Sequence, residues 1–292
     1  MPPAPHLFCI GLGYVALTLA ERIAAEGWRV SGTCRAPAKA ASLVARGIAA
    51  HATDGSTPDI AGMLGSVTHV LSSVPPDEHG DPALALFSDA LARRPDLAWV
   101  GYLSTTGVYG DRSGGWVDET MALAPRSERG RRRVVAETAW LALRYEAGLP
   151  VHVFRLGGIY GPGRSALDTV RAGTAQRVIK PGQVFSRIHV ADIASVLQAS
   201  MARPNPGAAY NLADDEPTSP DEVLSYAARL LGLPPPPAVL FETANLSEMA
   251  RGFYADNKRV ANGRIKRELG VCLAYPTYRE GLAALLAESP EA

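Results

Sequence analysis

The sequence predicts a doubly wound α/β fold, in which a parallel sheet carries a smaller substrate-binding region towards the C-terminus. Three observations lead there. Short apolar runs alternate with longer amphipathic patterns through the first two hundred residues, and strand–helix alternation favours parallel pairing by right-handed crossovers. A glycine-rich turn joins the first apolar run to the first helical pattern. The chain has 292 residues, 47% hydrophobic and 20% charged, which is enough to bury a large core and excludes disorder as the dominant state.

In chain order, residues 7–10, 28–33, 48–50, 69–72, 98–103 and 151–155 read as strands. Residues 14–26, 37–46, 82–93 and about 127–147 read as the helices between them. The rhythm then changes to irregular segments, a strand-like run at 187–190, a helix at 193–201 and a short strand at 210–212. A helix at 220–231 follows, with Ser219 as its expected N-cap, and four prolines at 234–237 cannot continue it. Residues 257–270 and 278–286 read as terminal helices. This partition assigns 1–163 with 187–212 to a dinucleotide-binding domain, and 164–186 with 213–292 to the substrate-binding region.

Charge and cysteine content narrow the partners. Lys plus Arg and Asp plus Glu both total 29, so no global field attracts nucleic acid or an anionic membrane. Cys9, Cys34 and Cys272 make no CxxC pair, which points to a reducing compartment, and the histidines at 6, 51, 69, 79, 152 and 189 lack metal-ligand spacing. No apolar run approaches a signal core or a membrane span. The expectation is a cytoplasmic protein with a small-molecule substrate, no metal, no nucleic acid and no membrane association, with a homodimer left open.

The first turn carries the clearest chemistry. Gly11-Leu12-Gly13-Tyr14-Val15-Ala16 sets a G-x-G-x-x-A pattern between strand and helix. Gly11 suits the tight turn, Gly13 lets a pyrophosphate approach the backbone, and Ala16 permits close packing, with phosphates at the helix N-terminus. An NAD site of this kind ends its second strand in a carboxylate for the ribose 2′-hydroxyl. Here the strand ends in Ser31-Gly32-Thr33-Cys34-Arg35, so Arg35, assisted by Lys39, offers a fork for a 2′-phosphate. NADP(H) is therefore the preferred cofactor, with NAD(H) as the alternative. Ser72 and Ser73, after the fourth strand, are candidates to line the cofactor ribose.

With these residues in place, the chain resembles the extended short-chain dehydrogenase/reductase family of the NAD-dependent epimerase/dehydratase type, and within it an atypical group whose first motif reads GxGYxA. The matching segments, in family order, are Gly11 to Ala16, Ser104-Thr105-Thr106-Gly107-Val108-Tyr109-Gly110, Arg155 through Gly161-Pro162-Gly163, Ile188-His189-Val190-Ala191-Asp192 and Tyr210-Asn211-Leu212. The resemblance implies a Rossmann-type fold, a nicotinamide cofactor, and an adenine contact at Asp54, where a turn or helix cap serves equally well. It also implies a catalytic Ser/Thr, Tyr and Lys.

Thr105 falls on the family's Ser/Thr, which orients the reacting oxygen. The Tyr and Lys positions fall on Arg129 and Arg133 within Arg129-Gly130-Arg131-Arg132-Arg133. A guanidinium stays charged and cannot exchange a proton near neutral pH, so Arg129 does not replace a tyrosine, whereas Arg133 can still donate to a ribose. Three readings of the cluster stay open: a solvated helix face, clamps for an anionic substrate, or a nucleic-acid contact.

Tyr109 and Tyr160, expected on loops after strands, are alternative proton donors or packing residues, and His189 is expected to be structural. Thr106, Gly158, Tyr160 and Arg187 are expected to line the substrate. The expected function is an NADP(H)-binding oxidoreductase or epimerase-like protein acting on a small polar, anionic or sugar-like substrate. The alternative is a catalytically silent dinucleotide-binding sensor or partner-binding protein.

Overall fold

The computed structural model describes residues 4–53 and 59–288. Strand β1 (His6–Ile10) is buried throughout and leads into α1 (Tyr14–Ala25), whose buried residues Val15, Ala16, Leu19, Ala20 and Ile23 recur at helical spacing. The alternation continues through β2 (Arg29–Cys34), α2 (Pro37–Ala45), β3 (Ala49–Ala52), α3 (Ile60–Leu64), β4 (His69–Ser72), α4 (Pro82–Ala92) and β5 (Trp99–Thr105). Asp81 caps α4 by accepting from the amides of Ala83 and Leu84, with Pro82 at the first helical position where its missing N–H costs nothing.

A 3₁₀ turn (Thr106–Tyr109) and β6 (Trp116–Val117) precede α5 (Glu128–Ala147) and β7 (Val151–Leu156). Then come β8 (Gly158–Tyr160), α6 (Ala166–Arg171), β9 (Arg177–Ile179), β10 (Arg187–His189), α7 (Val190–Ala202) and β11 (Ala209–Leu212). The chain ends through α8 (Pro220–Leu230), β12 (Ala238–Leu240), α9 (Glu248–Phe253), β13 (Arg259–Val260), α10 (Gly263–Leu269) and α11 (Tyr278–Glu288).

Seven strands form one sheet in the order β11-β7-β5-β4-β1-β2-β3. The pairs β1·β2, β1·β4, β2·β3 and β4·β5 are parallel, so the fold is a Rossmann-type α/β sheet. Among the described residues no helix is long and apolar enough to cross a membrane.

The chain divides into two compact units. The first comprises residues 1–105, 131–155 and 193–210, and the second 106–130, 156–192 and 211–292. The chain thus leaves the first unit at or next to the carboxyl ends of β5, β7 and β11. In the first unit, Phe8, Ile10, Val70, Phe87, Val100, Tyr102 and Trp140 belong to one buried cluster. In the second, Tyr160, Leu167, Val223, Ala227, Tyr278 and Leu282 form another.

Several boundaries differ from the sequence expectation. Residues 257–270 are not one helix: Asn257, hydrogen-bonded through backbone and side chain to Asp111, Arg112, Gly114, Gly182 and Val184, holds the chain extended. β13 then pairs with β6 before α10 begins. The stretch after 163, expected to be irregular, contains α6, closed by a Ser165–Asp168 capping box, and β9. Ser219 is the N-cap of α8 but makes no side-chain cap bond. Tyr109 lies in the 3₁₀ turn and Tyr160 in β8, not on open loops.

Candidate active site

The dinucleotide end lies in the first unit. Gly11 has φ +88, and a Cβ there would sit 2.9 Å from Val74 Cγ2 and 3.0 Å from Ser73 Oγ, so only glycine fits. Its amide donates to Thr33 Oγ1 at 3.0 Å, and its carbonyl accepts from the Ser73 hydroxyl. Gly13 is the N-cap of α1 without a side-chain cap bond, and the first turn holds no acidic residue. A helix N-terminus left that way presents backbone N–H groups and a positive dipole end to a phosphate. Tyr14 is partly exposed, whereas Val15 and Ala16 are buried and set the helix against the sheet.

Beyond β2, Arg35 and Lys39 are both exposed, Lys39 within the first turn of α2. Ser72 is fully buried, so of the two candidate ribose serines only Ser73 reaches the glycine turn. Asp54 lies outside the described residues.

Thr105 ends β5 and is partly exposed. One of the two expected clamp residues turns inward. Arg133 is 8% exposed and its Nη1 donates to Leu103 O at 2.6 Å and to Tyr102 Oη at 3.1 Å, with the guanidinium against the Tyr102 ring. For this residue the solvated helix face is incorrect.

The reason α5 lies there was not visible in the sequence. Ser104 donates to Glu137, and Glu137 takes a 2.8 Å ion pair from Arg155 Nη2 and a further bond from Arg155 Nε, all three side chains being buried. This bridge joins β5, α5 and β7. Nothing in the sequence singles out Glu137, because a single acid inside a charged helix carries no pattern of its own.

The second unit holds the remaining candidates. Arg129 is exposed, with its guanidinium 6.0 Å from the Phe253 ring centroid. Gly130 beside it is enforced by close approach, since a Cβ would lie 2.8 Å from Pro125 and 3.1 Å from Gly107 O. Thr106 is partly exposed and Gly158 exposed. Tyr109 is fully buried and donates to Asn211 Oδ1 at 2.7 Å, which places it as a packing residue, not a proton donor. Tyr160 is 8% exposed, donates to Thr277 O at 3.4 Å, and burial raises its pKa, so it too is a poor acid/base at neutral pH.

His189 accepts from the Ala191 amide through Nδ1, and burial lowers it to about 4, so the ring is neutral and structural. Arg187 reaches Thr218 O at 3.2 Å and lies against the Tyr278 ring, while its Nη1 is buried without a hydrogen bond. The nearby Asp214 carboxylate is also buried with neither oxygen in a well-formed hydrogen bond, and burial pushes it up to about 7 against the opposing pull of Arg187 and of the nearby Glu216 amide. The sequence reading overlooked Asp214, since in Asp214-Asp215-Glu216 nothing distinguishes the buried acid from its paired neighbours. Among the described residues no group of His, Cys, Asp and Glu is arranged to hold a metal ion.

Comparisons with known proteins agree with this architecture. Protein YeeZ of Escherichia coli is 28% identical over 281 residues, covering 91% of this chain and 95% of that one. The solved structure of a conserved protein from Silicibacter pomeroyi is 54% identical with a TM-score of 0.92, covering 98% of this chain and 99% of that one. The dTDP-glucose 4,6-dehydratase of Bacillus anthracis, solved in complex with NAD, shares the fold at a TM-score of 0.78 and 17% identity, covering 98% and 96%. Residues 83–213 match the model of the NAD dependent epimerase/dehydratase family. With the glycine turn preceding that span and the Rossmann-type sheet around it, the chain is similar to the NAD-dependent epimerase/dehydratase family over that segment and shares the fold of its solved members.

Proposed function

We propose that this protein is an NADP(H)-binding oxidoreductase or epimerase-like enzyme of the GxGYxA subgroup, acting in the cytoplasm on a small polar, anionic substrate. The observation that carries the cofactor choice is the end of β2, where Arg35 and Lys39 are exposed and residues 31–40 contain no carboxylate. A 2′-phosphate meets two cations there, whereas a 2′-hydroxyl lacks its usual acceptor. Gly11, Gly13 and the open N-terminus of α1 fit the pyrophosphate, and Ser73 and Thr33 hold that turn in shape. A dinucleotide held there would supply or accept a hydride. On the protein side, Thr105 orients the reacting oxygen, Arg133 stiffens the end of β5 through Leu103, and exposed Arg129 supplies positive charge for an anionic substrate.

Calorimetric titration with NADPH and NADH tests the choice. NADPH is expected to bind more tightly, and Arg35→Ala to weaken NADPH about tenfold while leaving NADH unchanged, as loss of one charged hydrogen-bonding group implies. Equal affinities that Arg35→Ala does not alter refute the preference.

A second reading, a catalytically silent dinucleotide-binding protein, is favoured by one observation. The Arg133 guanidinium is already committed to Tyr102 and Leu103, and Arg129 cannot exchange a proton. If wild type has no turnover and Arg129→Tyr with Arg133→Lys acquires it, the silent reading is the correct one.

A further inference from the structure

Arg187 is partly buried, and its enclosed Nη1 lacks the partner such a group needs. One carbonyl, Thr218 O, and the face of Tyr278 are its contacts, and neither neutralises the charge. Its nearby carboxylate is Asp214, tied to it through the backbone by Asp214 N donating to Arg187 O at 2.6 Å. Yet Arg187 Nη1 and both Asp214 oxygens are buried with no well-formed hydrogen bond. The next two acids cannot substitute, because Asp215 takes Asn262 and Lys266, and Glu216 takes Arg279 at 2.9 Å.

We propose that Arg187 binds an oxyanion, a carboxylate or a phosphate-like group, in place of Asp214, and that Asp214 takes up a proton from solvent as the anion arrives. The inference rests on the proposed function only in identifying that anion as part of the substrate.

The physical basis is a competition for one cation. A buried carboxylate without hydrogen bonds is costly in its charged form, and a buried guanidinium without a counter-ion is equally costly. Protonating Asp214 relieves the first cost and creates the second, which an incoming anion relieves. A charged Asp214 would instead repel the anion at close range. The groups facing the pair do not carry this exchange. Tyr160 on β8 and Tyr278 on α11 both have raised pKa values, Arg279 stacks on Tyr278 and pairs with Glu216, and Asp215 is paired elsewhere. Because burial holds the Asp214 carboxyl at about 7, the anion-accepting form is populated at pH 6 and scarce at pH 8.

Thermal unfolding of the full chain, with sodium sulfate against chloride of matched ionic strength at pH 6 and pH 8, tests the proposal without any cofactor. The sulfate response of wild type in excess of Arg187→Gln is expected to correspond to an affinity about tenfold weaker at pH 8, following the protonated fraction of Asp214. Asp214→Asn is expected to keep the pH 6 affinity at both values. Equal sulfate responses in wild type and Arg187→Gln overturn the anion site, and a wild-type response independent of pH overturns the proton coupling. Should either variant fail to fold, wild-type crystals soaked in sulfate at pH 6 and pH 8 decide. Sulfate on Arg187 Nη1 with higher occupancy at pH 6 is expected, and sulfate absent from Arg187 overturns the proposal. A failure here leaves the NADPH titration unaffected, so the two are distinguishable.

Discussion

Each unit contains an arginine beside a buried carboxylate, Arg155 buried and Arg187 partly so with its Nη1 enclosed, and the two pairs are built in opposite ways. In the first unit Arg155 gives Glu137 two N–H groups and Ser104 adds a hydroxyl, so the acid is saturated. In the second unit Arg187 and Asp214 are neighbours that exchange no side-chain hydrogen bond. A buried ion pair is tolerated when its lone pairs and protons are satisfied, and it then acts as a rigid tie. One that is unsatisfied keeps its desolvation cost and responds to protons and ions. The first pair fixes α5 against the sheet, whereas the second remains open to exchange.

The largest test of this contrast is removal of the saturated acid. Glu137→Ala strands Arg155 in the core and is expected to cost about 3–5 kcal/mol in urea unfolding. A loss no larger than that of an average surface substitution would show that the bridge is not a tie.

Asp214→Asn is expected to do the reverse and stabilise the protein at neutral pH. The folded carboxyl titrates at about 7 and the unfolded one near 3.8, so between these values the native state binds more protons and wild-type stability falls as pH rises. The Asn variant lacks that fall. Its advantage is therefore absent near pH 4, grows to pH 7 and is constant above, with a ceiling of about 4 kcal/mol at 1.36 kcal/mol per pKa unit. Thermal unfolding across the range measures it, and a difference that does not change with pH would place the Asp214 carboxyl in its ordinary range.

Ser104→Ala removes one donor from the Glu137 carboxylate and is expected to cost about 2 kcal/mol. Smallest is the paired replacement Glu137→Leu with Arg155→Met, which deletes both charges together. It should fall near wild type in urea unfolding, far above Glu137→Ala, because no charge is left unpaired.

Much of the dinucleotide end was legible in the sequence because its determinants are local. Gly11 and Gly13 take their roles from their own backbone geometry, and the positions of Arg35 and Lys39 follow from their distance to the end of one strand. The arginine cluster was legible only as composition. Whether a guanidinium meets water, Tyr102 or Phe253 depends on what the chain brings alongside α5 from thirty or more residues away, and Arg133 and Arg129 answered differently. Tyr109 and Tyr160 show the same limit, since a tyrosine near the end of a strand looks alike in sequence whether its hydroxyl faces a ligand or, as here, Asn211 and Thr277.

By itself, then, the sequence determined the parallel α/β architecture and the glycine-rich turn between β1 and α1, because periodicity and glycine geometry are properties of short segments. Only the tertiary structure decided that Arg133 is committed to the end of β5, that Glu137 is saturated and that Asp214 is not. Hydrogen-bond satisfaction and burial are set by groups that meet only when the chain folds, and the same acid is a tie or a titrating group according to how many donors reach it.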